Sequence, residues 1–113
     1  MRAAKLREFE ELVLLSVRMN GEDASGVSIQ KSLDAEAGRS VSLGAIYTAL
    51  DRLARKGLVE SWLGEPTPVR GGRRKRYYRV TATGLSQLSA IRRIRNTMWA
   101  KSESGTRGEE VLP

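Results

Sequence analysis

The chain of 113 residues has no cysteine and no histidine. Without cysteine there is no disulfide, no zinc–thiolate site and no thiol nucleophile. Without histidine there is no Ser-His-Asp triad, no imidazole base and no histidine metal ligand. Aromatic residues are scarce at 5%, and prolines number only 3. No uncharged apolar run approaches the ~18 residues of a membrane span. Glu8, Glu10 and Glu11 interrupt the apolar N-terminal stretch, so it does not read as a signal peptide. These absences leave a soluble, cytoplasmic protein without cofactor or metal as the expectation, and an enzyme as the least favoured class.

What is present is positive charge in one place. The formal net charge is +7. Between Arg39 and Arg79 ten bases face three acids, an excess equal to the whole net charge, while ten bases and ten acids cancel elsewhere. A neutral scaffold carrying one basic segment suggests a polyanionic partner.

Apolar spacing supplies the elements around that segment. Arg2 to Met19 reads as a helix with two adjoining stripes, Leu6, Phe9, Val13 and Val17 beside Leu12, Leu15 and Met19. Asn20-Gly21 ends it, and Glu22 to Gly26 is a loop. A second helix, Val27 to Glu36, is capped by Ser25 and stopped by Gly38; its apolar face is Ile29, Leu33 and Ala37. Ser42 caps a third, which runs to Lys56 with Ile46, Leu50 and Leu53 inward and Gly57 as its stop. Leu58 to Leu63 and Arg76 to Val80 have strand composition and flank a Pro- and Gly-containing basic turn, which predicts a hairpin. Thr81 then caps a helix from about Ala82 to Ala100. The predicted fold is mostly α with a small two-stranded β-hairpin: a winged helix-turn-helix domain over 1–80, a C-terminal dimerisation helix over 81–100, and a disordered tail over 101–113.

In such a fold the third helix can lie in a major groove and the hairpin tip can touch the flanking backbone. At 100° per residue Gly44, Thr48, Asp51 and Arg55 lie opposite the buried stripe. Ser42, Gly44, Tyr47 and Thr48 are therefore candidate DNA-binding residues, with Arg52 as a backbone contact. Gly44 either admits a close DNA backbone or packs against the second helix. Tyr47 is either a phosphate donor or a half-buried flank aromatic. Arg55 is placed to pair with Asp51. Arg73, Arg74 and Lys75 supply guanidinium and ammonium groups at the hairpin tip. Tyr78 is expected to pack beneath the hairpin.

The run from Gly44 through Tyr47, Leu50, Leu53 and Gly57-Leu58-Val59, with Gly71-Gly72-Arg73-Arg74-Lys75-Arg76-Tyr77-Tyr78 and Thr81-Ala-Thr-Gly84, resembles the PadR-type transcriptional regulators, over about Leu12 to Trp99. Gly26-Val27 departs from the Gly-Tyr pair usual in that family. The resemblance implies a sequence-specific DNA-binding regulator, a repressor by type. Its single C-terminal helix is similar to that of the short subfamily, which implies a homodimer through the first and last helices and a pseudopalindromic operator. It further implies a flat aromatic small-molecule effector against Trp99 and Met98; the plainer role for Trp99 is a dimer-core aromatic. A general basic RNA- or ribosome-associated protein is the alternative from a different class. It would share the charge but bind no operator.

Overall fold

Arg7 is extended, and its amide donates to Glu10 Oε1 at 3.1 Å. That bond starts α1 (Glu8–Asn20) six residues later than the apolar pattern predicted; the computed structural model describes residues 6–66 and 74–105, so residues 2–5 of the predicted helix lie outside it. A short 3-10 turn, Gly21–Asp23, follows. Then come α2 (Gly26–Ala37), α3 (Leu43–Arg55), the strands β1 (Val59–Leu63) and β2 (Arg76–Val80), and α4 (Ala82–Gly105). The caps are local chemistry. Ser25 Oγ accepts from the Ser28 amide at 3.3 Å and Ser42 Oγ from the Ala45 amide at 3.1 Å, each satisfying a donor with no partner inside its helix. Gly38, left-handed at φ 65°, closes α2.

The core forms where α1, α2, α3 and the base of the hairpin meet. Leu14, Ile29, Leu33, Ile46, Leu50, Leu53 and Leu58 are fully buried in it, each contributing about 1.5–3 kcal/mol. Leu14 belonged to neither predicted stripe of α1, yet it is buried with Val13 and Val17, whereas Leu15 and Met19 face outward. Ala37, expected on the apolar face of α2, is exposed.

β1 and β2 pair antiparallel, from Val59 opposite Val80 to Leu63 opposite Arg76. Val59 and Tyr78 are on the buried face. On the other, Trp62 stacks on Tyr77 with centroids 6.0 Å apart, and Arg79 lies 5.7 Å from the Trp62 ring while bonding Glu60 at 2.6 Å. The Tyr78 amide donates to the Ala24 carbonyl at 2.9 Å, tying the hairpin to the segment before α2.

The entry to α4 explains its Thr-x-x-Gly sequence. Thr81 Oγ1 accepts from the Gly84 amide at 3.0 Å and donates to the Gly57 carbonyl at 2.7 Å. Gly84 lies against the Leu58 carbonyl, and a β-carbon there would also come within 2.8 Å of Val80 Cγ1. Leu88 is the last buried residue of α4. Beyond Ile91 every described side chain is exposed, and the helix projects from its own domain. It continues to Gly105, so Lys101–Gly105, expected in the tail, are helical; 106–113 lie outside the described residues. No helix among the described residues is long and apolar enough to cross a membrane.

Candidate nucleic-acid interface

The third helix separates its residues cleanly by side. Ile46, Ala49, Leu50 and Leu53 are buried, which forces Ser42, Gly44, Tyr47, Thr48 and Arg52 outward, and all five are exposed. Thr48 Oγ1 donates to the Gly44 carbonyl at 3.0 Å, one turn back, so its methyl group and hydroxyl oxygen are held in a fixed orientation on the surface.

Gly44 does not pack against α2. A β-carbon at that position would meet nothing nearer than Ser42 Oγ at 3.9 Å. The glycine that does serve a contact with α3 is Gly26, the first residue of α2, which lies directly beneath the Tyr47 ring. Tyr47 is thus a half-buried flank aromatic resting on α2, 42% exposed.

The ion pairs determine which bases stay available. Arg39 binds Glu8, Lys56 binds Glu10, Arg79 binds Glu60 and Arg95 binds Glu11, at 2.6 to 2.7 Å. The expected Asp51–Arg55 pair is not formed, and Arg52, Arg55, Arg74 and Lys75 have no carboxylate partner among the described residues. Arg74 instead donates through Nε to the Gly64 carbonyl at 2.7 Å, bracing the hairpin near its tip. Arg73 lies outside the described residues. Arg76, on the same side of the hairpin as Tyr78, donates to Ser61 Oγ at 3.0 Å.

Two buried groups hold this surface in place. Glu10 is buried, and its Oε1 accepts from Lys56 Nζ at 2.6 Å as well as from the Arg7 amide. Burial alone would raise its carboxyl; the Lys56 and Arg7 contacts more than offset it and hold Glu10 below the ordinary glutamate range. This pair fastens the C-terminal end of α3 to α1. The sequence did carry a signal for it: Glu10 sits three, four and seven residues before Val13, Leu14 and Val17, on the buried side. Tyr78 has its hydroxyl pushed up by burial first, and then by the nearby Tyr47 oxygen.

At the far end of α4, Met98 is 66% and Trp99 68% exposed. A shallow depression of about 310 Å³ is lined by Arg95, Met98, Trp99 and Ser102. A second, of about 280 Å³, lies between α1 and α4, with Leu15, Leu85 and Trp99 among its walls. Met98 and Trp99 are therefore neighbours on one surface, remote in sequence and fold from α3. Among the described residues no cluster of Asp and Glu could hold a metal ion.

Three helices with the third set outward, followed by an antiparallel hairpin braced on the start of the second, define a winged helix-turn-helix protein. Residues 14–90 match the model of the transcriptional regulator PadR-like family, and the chain belongs to that family, one of transcription regulators rather than enzymes. Among solved structures, a PadR-family regulator from Clostridium difficile superposes with a TM-score of 0.69 at 21% identity, over 85% of this chain and 96% of that one. A PadR-like regulator from Bacillus cereus gives 0.69 at 25% identity, over 89% and 93%. Bacillus subtilis PadR, in complex with operator DNA, gives 0.62 at 25% identity, over 75% of this chain and 47% of that one. No curated protein sequence matches significantly.

Proposed function

We propose that this chain is a homodimeric repressor that binds a pseudopalindromic operator in double-stranded DNA, with the N-terminal half of α3 in the major groove and the hairpin on the flanking backbone. The observation that carries the reading is Gly44. Gly21, Gly38 and Gly57 have positive φ, and Gly26, Gly64 and Gly84 lie under neighbouring atoms. Gly44 has neither reason. A glycine in a helix is disfavoured relative to alanine, by up to about 0.5–1 kcal/mol, and no contact among the described residues recovers it. Close approach of a DNA backbone to the first turn of α3 does, beside the capping Ser42 and the free amides of a helix N-terminus. Thr48 and Tyr47 flank that point, Arg52 follows one turn on, and Arg73, Arg74 and Lys75 add phosphate contacts from the wing. The operator-bound Bacillus subtilis relative supports the same partner.

The second copy covers α4. Ile94, Met98 and Trp99 are 59 to 68% exposed on a helix that leaves its own domain, and a dimer through α1 and α4 buries them. Occupied half-sites then lie about one DNA turn apart, ~34 Å. A flat aromatic effector would stack against Trp99 beside Met98, gaining on the order of 0.5–1.5 kcal/mol beyond area burial. Footprinting of the purified protein on genomic fragments tests the assignment. Two protected patches one turn apart, with transcription from that promoter reduced in vitro, are expected. Equal affinity for unrelated DNA and structured RNA, with no footprint, would instead favour the general basic RNA-associated protein. Trp99 emission in a Trp62→Phe background, unmoved by planar aromatics, would remove the effector.

A further inference from the structure

We propose that Gly26 is a positioning residue for DNA binding: by having no side chain it seats the Tyr47 ring across the first turn of α2 and holds the Tyr47 hydroxyl ready for a DNA phosphate. The inference rests on the reading above, in which α3 presents Tyr47 to DNA. Gly26 has no conformational reason to be glycine, since positive φ among the described glycines is confined to Gly21, Gly38 and Gly57. It is nonetheless buried, on the surface of a helix whose neighbour Val27 is exposed, because Tyr47 lies on it. A β-carbon at Gly26 would collide with the Tyr47 hydroxyl oxygen and stand 2.6 Å from Cζ and 2.7 Å from Cε1.

All three colliding atoms are at the tip of one side chain. A methyl group at Gly26 therefore displaces the ring and leaves the helices where they are. The contrast is Gly84, whose neighbour is the Leu58 backbone carbonyl, which cannot swing away. The ring so held is 42% exposed, and its hydroxyl makes no hydrogen bond among the described residues. A rigid, half-open phenol with an unspent donor suits a phosphate oxygen, which the phosphodiester chain offers at every nucleotide.

The test uses the full chain, the operator fragment found by footprinting, and three variants: Gly26→Ala, Tyr47→Phe and the two combined. Affinity is read by fluorescence anisotropy at fixed salt and folding by the urea midpoint. Tyr47→Phe is expected to weaken binding roughly tenfold, the size of one hydrogen bond to a charged acceptor. Gly26→Ala should lose a similar factor with the midpoint unchanged, and the double variant should lose no more than either alone. If Gly26→Ala binds like the parent while Tyr47→Phe is weakened, or if the two losses multiply, the positioning role is wrong. If Tyr47→Phe binds like the parent, it is the DNA contact by Tyr47 that fails. If Gly26→Ala lowers the midpoint, it must cost nothing further when made in a Tyr47→Ala background; an equal further drop there overturns the contact itself.

Discussion

The outer side of α3 and the outer half of α4 both stand clear of the core, and their chemistry is opposite. On α3 the exposed positions include serine, glycine, tyrosine, threonine, aspartate and two arginines, with Ala45 and Ala54 the small apolar ones among them, while the large apolar residues Ile46, Leu50 and Leu53 are all turned inward. On α4 the exposed positions include Ile94, Met98 and Trp99, which no described element covers. Exposure alone does not identify a partner. A polar face around a bare backbone accommodates a phosphate chain, whereas an apolar stripe on a projecting helix is suited to a second apolar surface.

The comparison can be broken from the α4 side first, where the largest effect is expected. Ile94→Asp combined with Trp99→Ser should weaken self-association by about 3 kcal/mol or more, since each buried apolar side chain contributes about 1.5–3 kcal/mol. Sedimentation equilibrium would report a monomer over a range where the parent is a dimer, and operator affinity would fall with it. A parent that is already monomeric under those conditions would remove the second copy from the account.

Next comes the anchor of α3. Glu10→Ala should lower folding stability by about 1–3 kcal/mol, through loss of a charged hydrogen-bonded pair. The pH dependence has a definite sign. Because Glu10 titrates below its ordinary value of 4.5 in the folded chain, its contribution is present above that value and is lost as pH falls through the folded one. Parent and variant should therefore converge in acid, and urea midpoints at neutral pH and near pH 3 would show whether they do.

A smaller effect is expected at the wing. Replacing Arg73, Arg74 and Lys75 by alanine should weaken binding to all DNA about tenfold and flatten the salt dependence by roughly one unit per lost phosphate contact. An unchanged salt slope with lost operator preference would reverse the division of labour between wing and α3. The smallest effect is the most diagnostic in sign. Gly44→Ala should stabilise the fold by up to about 0.5 kcal/mol, the low end of the helix-interior value because the position is in the first turn, while reducing operator affinity. Better folding with undiminished affinity would leave the glycine without a purpose at the interface.

Much of this architecture could be read from spacing. Ile46, Leu50 and Leu53 lie four and three residues apart, Ser42 has the chemistry of a cap, and Gly57 ends the turn, so α3 is defined by local rules. The strands and the Thr81 cap follow for the same reason. Gly44 could be listed but not decided, because what surrounds a glycine depends on elements distant in sequence. Gly26 was visible only as a departure from a family pattern; its purpose is a tertiary contact with Tyr47, 21 positions away. Glu10 and Lys56 meet across 46 positions, a pairing that no local pattern specifies. The extension of α4 through Lys101–Gly105 was missed for another reason. Ser-Glu-Ser-Gly is weakly helical on its own, but adding residues to an established helix needs no new nucleus, and Ser102 Oγ returns a bond to the Trp99 carbonyl at 2.7 Å.

The length of α4 has a mechanical consequence. At 1.5 Å per residue, the 24 residues of α4 span about 36 Å, from a root clamped on Leu58 by Gly84, past Trp99, to an outer end at Gly105. It is a lever whose short, stiff root carries the whole DNA-reading domain. A tilt of about 5° at the free end displaces the other end by about 3 Å, close to the ~3.4 Å rise from one base pair to the next. In the dimer proposed above, a change in the α4 crossing angle too small to disturb any contact in the core would thus move α3 by nearly a full step of the double helix.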